Sequence, residues 1–218
     1  MPKLSYQWKL RLYFLILLAT LQLLLKSPFN FMVLNVFLAY LPIEFSFWVQ
    51  HFADRRSLAF WSLLFLWLIF YPNAPYVMTD LFHLSWLHPH TSTTGILRAD
   101  PKMWLIFALM ILSAFSCAIF GTVEMAHLSR LLEKMLTPKF SHSHLIWVGC
   151  FSFLAGVGIY IGRFLRLHSI YLFITPSWFF RQLLSIWSWP MLEFVLIMTI
   201  LQLLLYWCLH LIKQTDLM

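Results

Sequence analysis

Six long apolar stretches dominate this chain, and the cleanest runs from Met103 to Val123, 21 residues without a charge. A helix that crosses a hydrocarbon core roughly 30 Å thick needs about 20 such residues, each rising about 1.5 Å. Backbone polar groups have no water to bond there, so each stretch reads as a helix that satisfies its own N–H and C=O groups. Composition agrees. Of 218 residues, 61% are hydrophobic, 19% aromatic and 11% charged, and the mean hydropathy is +0.80. A water-soluble domain needs about 25% charged residues to cover itself. So few charges, with six Gly and three Cys, also exclude a disordered chain, a collagen-like fibre and a disulfide-stapled module. The excess of 15 Lys+Arg over 8 Asp+Glu, a net charge of +7, reads as topology signal and lipid-headgroup contact rather than a nucleic-acid footprint.

The expectation is an all-α polytopic membrane bundle forming one domain over residues 1–218. About six transmembrane helices fall near 10–25, 29–49, 57–78, 103–123, 145–162 and 190–212. Arg11 and Lys26 are expected to snorkel from the two ends of the first. The second is interrupted by Asn30, Asn35, Pro42 and Glu44, and the outer third of the third is kinked or non-helical at Tyr71-Pro72-Asn73-Ala74-Pro75. From Thr175 to Trp189, polar Ser177, Arg181, Ser185 and Ser188 form one stripe on an otherwise apolar helix, which reads as an amphipathic helix in the outer interface. Lys and Arg are more numerous in the loops that are inner when both termini are cytoplasmic, which sets the expected orientation in a cell membrane. No small-residue cleavage pattern follows Leu25-Lys26-Ser27-Pro28, so the first apolar run is read as an uncleaved span. Cys117, Cys150 and Cys208 all fall inside spans and are expected to pack there.

Four of the six glycines lie between Gly149 and Gly162. Small residues let helix backbones approach closely, so the fifth span is expected to be the central packing element.

Ionisable groups inside or beside spans are expensive, and each calls for a partner, a wet cavity or a task. On the expected topology two polar segments emerge at the outer face. The first, Tyr71 to His83, contains Asn73, able to bond carbonyls freed by the prolines, and Asp80 with His83 at i, i+3. A carboxylate there can orient an imidazole for acid–base work, or the pair can secure a turn. The second, Gly162 to Ser169, contains Arg163 and Arg166, also i, i+3, with His168 beside them. Two guanidiniums at a helix end make a fork for phosphate or carboxylate, anchor to lipid, or pair with Asp80. Asp80 and His83 are thus the catalytic candidates, and Arg163, Arg166, Asn73 and His168 the binding candidates.

The stretch Tyr71-Pro72-Asn73-Ala74-Pro75-Tyr76-Val77-Met78-Thr79-Asp80-Leu81-Phe82-His83-Leu84 resembles the signature of a bacterial family of multi-pass membrane proteins known as domain of unknown function thirteen sixty-one. Gly158 to Arg166 is similar to its second mark, and Leu34 to Pro42 is a weaker likeness. After Arg166 the chain reads Leu167-His168-Ser169-Ile170-Tyr171, without the Asn and acidic residue that the resemblance would bring. The resemblance implies no assigned activity.

Glu44 and Glu193 are intramembrane carboxylates, and Glu124 with His127 forms an E-x-x-H at the inner end of the fourth span. P-loop, dinucleotide-binding, zincin, serine-esterase and C-x-x-C marks are absent, so no cofactor and no metal are expected. Three readings follow. The first is a binding or auxiliary membrane protein whose Asp–His–Arg cluster docks an anionic amphiphile or a membrane-protein partner. The second is an enzyme acting on a lipid-linked or phosphorylated substrate. The third is a small transporter using Glu44 and Glu193, disfavoured because no inverted repeat is visible. Membrane lipids are the expected partners, and nucleic acid is not.

Overall fold

The computed structural model describes residues 4–53, 57–91, 94–138, 140, 142–165 and 187–215. Helix α1 spans Tyr6–Leu24, with Ser5 as its cap accepting from the Trp8 amide. Helix α2 spans Phe31–His51 and carries Pro42 inside it. Helix α3 (Leu58–Phe70) stops before Pro72, α4 (Asn73–Thr79) restarts, and a 3-10 helix follows from Asp80 to Leu87. Helix α5 runs Pro101–Leu136, started by Asp100 accepting from the Lys102 amide and by Pro101 at the first helical position. Helices α6 (Ser143–Phe164) and α7 (Trp189–Gln214) complete the bundle, α7 opening on a Ser188 cap and Pro190. Among the described residues the only β feature is an isolated bridge between His90 and Leu97.

Five helical stretches are long and apolar enough to cross a membrane: α2, the run Leu58–Leu87, α5, α6 and α7. Helix α1 is not among them, since Gln7, Lys9, Arg11 and Gln22 dilute its apolar content. Nor does Arg11 snorkel. Its Nε and Nη2 donate to the two Glu44 oxygens at 3.0 and 2.7 Å, and Tyr40 and Trp48 donate to the same carboxylate at 2.7 and 2.9 Å. The expected interfacial helix at 175–189 lies almost wholly outside the described residues.

Helix α5 touches α2, α4, the 3-10 helix, α6 and α7, and is therefore the hub in place of α6. At 36 residues it is about 54 Å long, more than a membrane core requires. One core gathers α1, α2 and α5 around Phe14, Met32, Val36 and Met110, and a second joins α3, α5 and α6 around Trp67, Tyr71, Met125 and Phe151. The small residues of α6 work at particular points. A Cβ on Gly158 would lie 2.5 Å from the Pro72 ring, and one on Gly156 would meet the Val195 carbonyl at 3.0 Å, while Gly149 faces open space. Of the cysteines only Cys117 is buried; Cys150 and Cys208 face outward from the bundle.

Helix α2 defines two ends. Its Asn35 reaches Asp80, and its Gln50 reaches Glu124. Fifteen residues separate them, about 22 Å along the axis.

Candidate functional site

Two prolines build the approach to the site. Pro72 has no N–H to offer the helix, so α3 stops at Phe70 and α4 restarts at Asn73, with Pro75 in its first turn where a missing N–H costs nothing. Asn73 Nδ2 donates to the Phe70 carbonyl at 2.9 Å and Ala74 N–H to Tyr71 at 3.0 Å, which satisfies backbone that lipid could not. Asn73 thus bridges the break with its side-chain amide.

The restarted helix delivers Tyr76, Thr79 and Asp80 toward the last turn of α6. Asp80 is fully buried. Its Oδ2 accepts from Asn35 Nδ2 at 2.8 Å, and its Oδ1 from Arg163 Nη1 at 3.2 Å. Arg163 also donates from Nη1 to the Tyr76 hydroxyl at 3.3 Å and from Nη2 to the Thr79 carbonyl, with its guanidinium carbon 5.3 Å from the Tyr76 ring centroid. A cation on the final turn of α6 also meets the negative end of that helix dipole. The guanidinium thus turns inward on three acceptors, and its side chain keeps 20% exposure.

His83 follows Asp80 by three positions, which a 3-10 turn stacks one above the other. Its Nδ1 lies 3.0 Å from the Asp80 carbonyl oxygen and 3.9 Å from the carboxylate. A carbonyl only accepts, so that bond puts a proton on Nδ1 and leaves Nε2 as the free nitrogen. Phe31 and Trp86 flank the ring at centroid distances of 4.7 and 4.4 Å, and the side chain is 22% exposed. Asp80, His83 and Arg163 therefore come together, drawn from two separate segments. Arg166 and His168 lie outside the described residues. Asn35 and Tyr76 belong to the cluster and were not among the candidates; the signal for Asn35 was an amide placed inside an apolar span.

The remaining carboxylates do not join it. Glu44 faces α1 and is held by Arg11, while Glu193 sits exposed near the start of α7. Glu124 lies at the opposite end and is 1% exposed, accepting from Tyr6, Ser46 and Gln50 at 3.2, 2.7 and 3.0 Å. Among the described residues no three His, Cys, Asp or Glu side chains gather as a metal centre would need.

Fold and site together define an all-helical protein of the multi-pass membrane type, braced near one end by a buried ion pair between its third and fifth apolar segments. Residues 34–205 match the family described as protein of unknown function (DUF1361), and the chain belongs to that family. The matched region begins one residue before Asn35 and contains Asp80, His83 and Arg163. Neither the curated proteins nor the solved structures compared with the chain gave a match.

Proposed function

We propose that the chain is an integral membrane protein of the binding or auxiliary kind, whose Asp80 end docks an anionic amphiphile. The observation that carries this reading is one fully buried carboxylate holding two partly open nitrogen groups from different segments. Asp80 and Arg163 offset each other's charge, which leaves His83 Nε2 and the outward edge of the Arg163 guanidinium as the groups that meet a phosphate or carboxylate oxygen. The Phe31 and Trp86 rings beside His83 supply an apolar wall for the amphiphile's chain. The other end gathers Lys9, Arg130, Lys134 and Lys213, which makes it the cytoplasmic side of a bacterial cell membrane in this reading, with the Asp80 end facing away.

The fixed tautomer favours a second reading, a membrane enzyme acting on a lipid-linked or phosphorylated substrate. An imidazole oriented through Nδ1 presents Nε2 as a base, with Arg163 beside it for the anion.

His83→Gln separates these roles from a purely structural one, because His83 is partly exposed and its loss leaves the Asp80–Arg163 pair intact. The variant is expected to give wild-type yield and gel-filtration behaviour in detergent while retaining about tenfold less co-purified phosphatidylglycerol by native mass spectrometry, the loss of one charge-assisted contact. Unchanged lipid retention in a folded His83→Gln protein would leave the cluster only a structural brace.

A further inference from the structure

The end of the bundle opposite Asp80 holds a cavity of about 90 Å³ between the last third of α5 and the last third of α7. A buried water needs about 10–15 Å³ of such space, so this volume takes several waters or one tetrahedral oxyanion. Its polar lining is Thr122, His127 and Arg130 from α5, and Tyr206, His210 and Lys213 from α7, and no carboxylate is among the lining residues. Cations fixed around a recess in a membrane protein are costly unless something offsets them. Among the described residues Arg130 has no hydrogen-bond or ion-pair partner although it is only half-exposed, and Lys213 has none either. That contrasts with Arg11 and Arg163, whose guanidiniums are each committed to a carboxylate.

The back of the cavity is built. His127 Nδ1 lies 3.4 Å from Glu124 Oε1, and Glu124 is itself fixed by Tyr6, Ser46 and Gln50 from α1 and α2. With Nδ1 turned to Glu124, Nε2 is the nitrogen left toward the cavity. On the other wall the His210 ring stacks parallel to Tyr206 with centroids 6.3 Å apart, and Gln214 Nε2 lies 3.1 Å from His210 Nε2. The walls between are aliphatic and open onto the outward face of α7, most of whose residues are exposed from the bundle.

We infer that this recess is a binding site for a phosphate-bearing ligand, with Arg130 presenting its planar fork to two phosphate oxygens, Lys213 adding a point charge, and His127 closing the back. Phosphate fits better than carboxylate because its oxygens project in three directions, which suits donors on two facing helices. The phosphate arrives either on a lipid headgroup, for which the aliphatic wall leading to α7 provides the path of the chains, or as a free phosphate compound. Basic recesses between membrane helices bind anionic headgroups by this chemistry. The site is independent of the Asp80 cluster.

The test uses the full chain, purified in detergent and stripped of lipid, with retention of phosphatidylglycerol and phosphatidylcholine read by native mass spectrometry. Wild type is expected to prefer phosphatidylglycerol. Removing one charge, in Arg130→Gln or Lys213→Gln, is expected to weaken that binding about fivefold, and removing both about thirtyfold. Lys213 is exposed on α7, so Lys213→Gln leaves the fold alone and remains informative if Arg130→Gln does not fold. Inorganic phosphate and glycerol phosphate form the second arm: thermal stabilisation by either at millimolar concentration, lost in the Lys213 variant, identifies the free compound as the ligand. Failure of both to displace phosphatidylglycerol identifies the lipid. If the double variant, or Lys213→Gln alone, keeps wild-type retention of phosphatidylglycerol and wild-type response to phosphate, the inference is overturned. In a His83→Gln background the phosphatidylglycerol still retained is that of the recess, and its loss on adding Lys213→Gln tells failure here from failure at the Asp80 end.

Discussion

Asp80 has no exposed surface, and its oxygens are taken by an amide from α2 and a guanidinium from α6. Taking one partner from such a pair strands a charge in apolar surroundings and costs about 3–5 kcal/mol, while taking both removes the attraction together with the desolvation it offset. Asp80→Asn and Arg163→Gln should therefore each lower thermal stability in detergent, and the double variant should lose less than the two single losses added together. Strict additivity in that cycle would mean that the two groups do not sense each other. The pair was readable in the sequence only as an option, because Arg163 at a helix end serves equally to anchor to lipid or to bind a ligand. What decides between them is that Thr79 and Tyr76 offer two further acceptors on the same side, and no spacing rule exposes that. Glu124 carries the same lesson. The fourth span reads as ending at Val123 because the next residue is a carboxylate, yet α5 continues to Leu136, with Tyr6, Ser46 and Gln50, from distant parts of the chain, satisfying that carboxylate.

Among the elements, the break between α3 and α4 was legible as a kink, since Pro72 removes an amide donor, while the return to helix through Pro75 was not. The glycine-rich α6 was legible in kind but not in detail. Small residues on a helix indicate close approach without saying which of them is approached. Gly158 meets Pro72 at the break, and Gly121 on α5, which the sequence does not single out, meets Ala74 of α4, where an added Cβ would fall 2.6 Å from the alanine Cβ. Both glycines therefore clamp the proline segment that delivers Asp80. Gly158→Ala and Gly121→Ala should each cost about 1–3 kcal/mol through overpacking, read as a lowered melting temperature in detergent. Gly149→Ala, with nothing within 4 Å of the new methyl, should be neutral. Equal losses at all three positions would mean that close approach to Pro72 and Ala74 does not set the effect, since helix propensity alone favours alanine at each.

At the scale of the whole molecule, charge is scarce and separated. The two most deeply buried carboxylates among the described residues lie about 22 Å apart, Asp80 in a braced ion pair with an open imidazole and Glu124 behind a cationic recess. An all-helical membrane class was legible from hydropathy alone, because length and lack of charge leave few other folds. The placement of α1 was not, since its apolar content falls short of the other helices and it is held instead by side chains of α2 and α5. The docking of an anionic amphiphile at the Asp80 end is tested most directly by an experimental structure of the full chain in nanodiscs rich in phosphatidylglycerol. Phosphate density within hydrogen-bond reach of His83 Nε2 and the outer edge of Arg163 is the result expected. Ordered acyl chains or bulk lipid against a His83 ring that contacts no headgroup would contradict it.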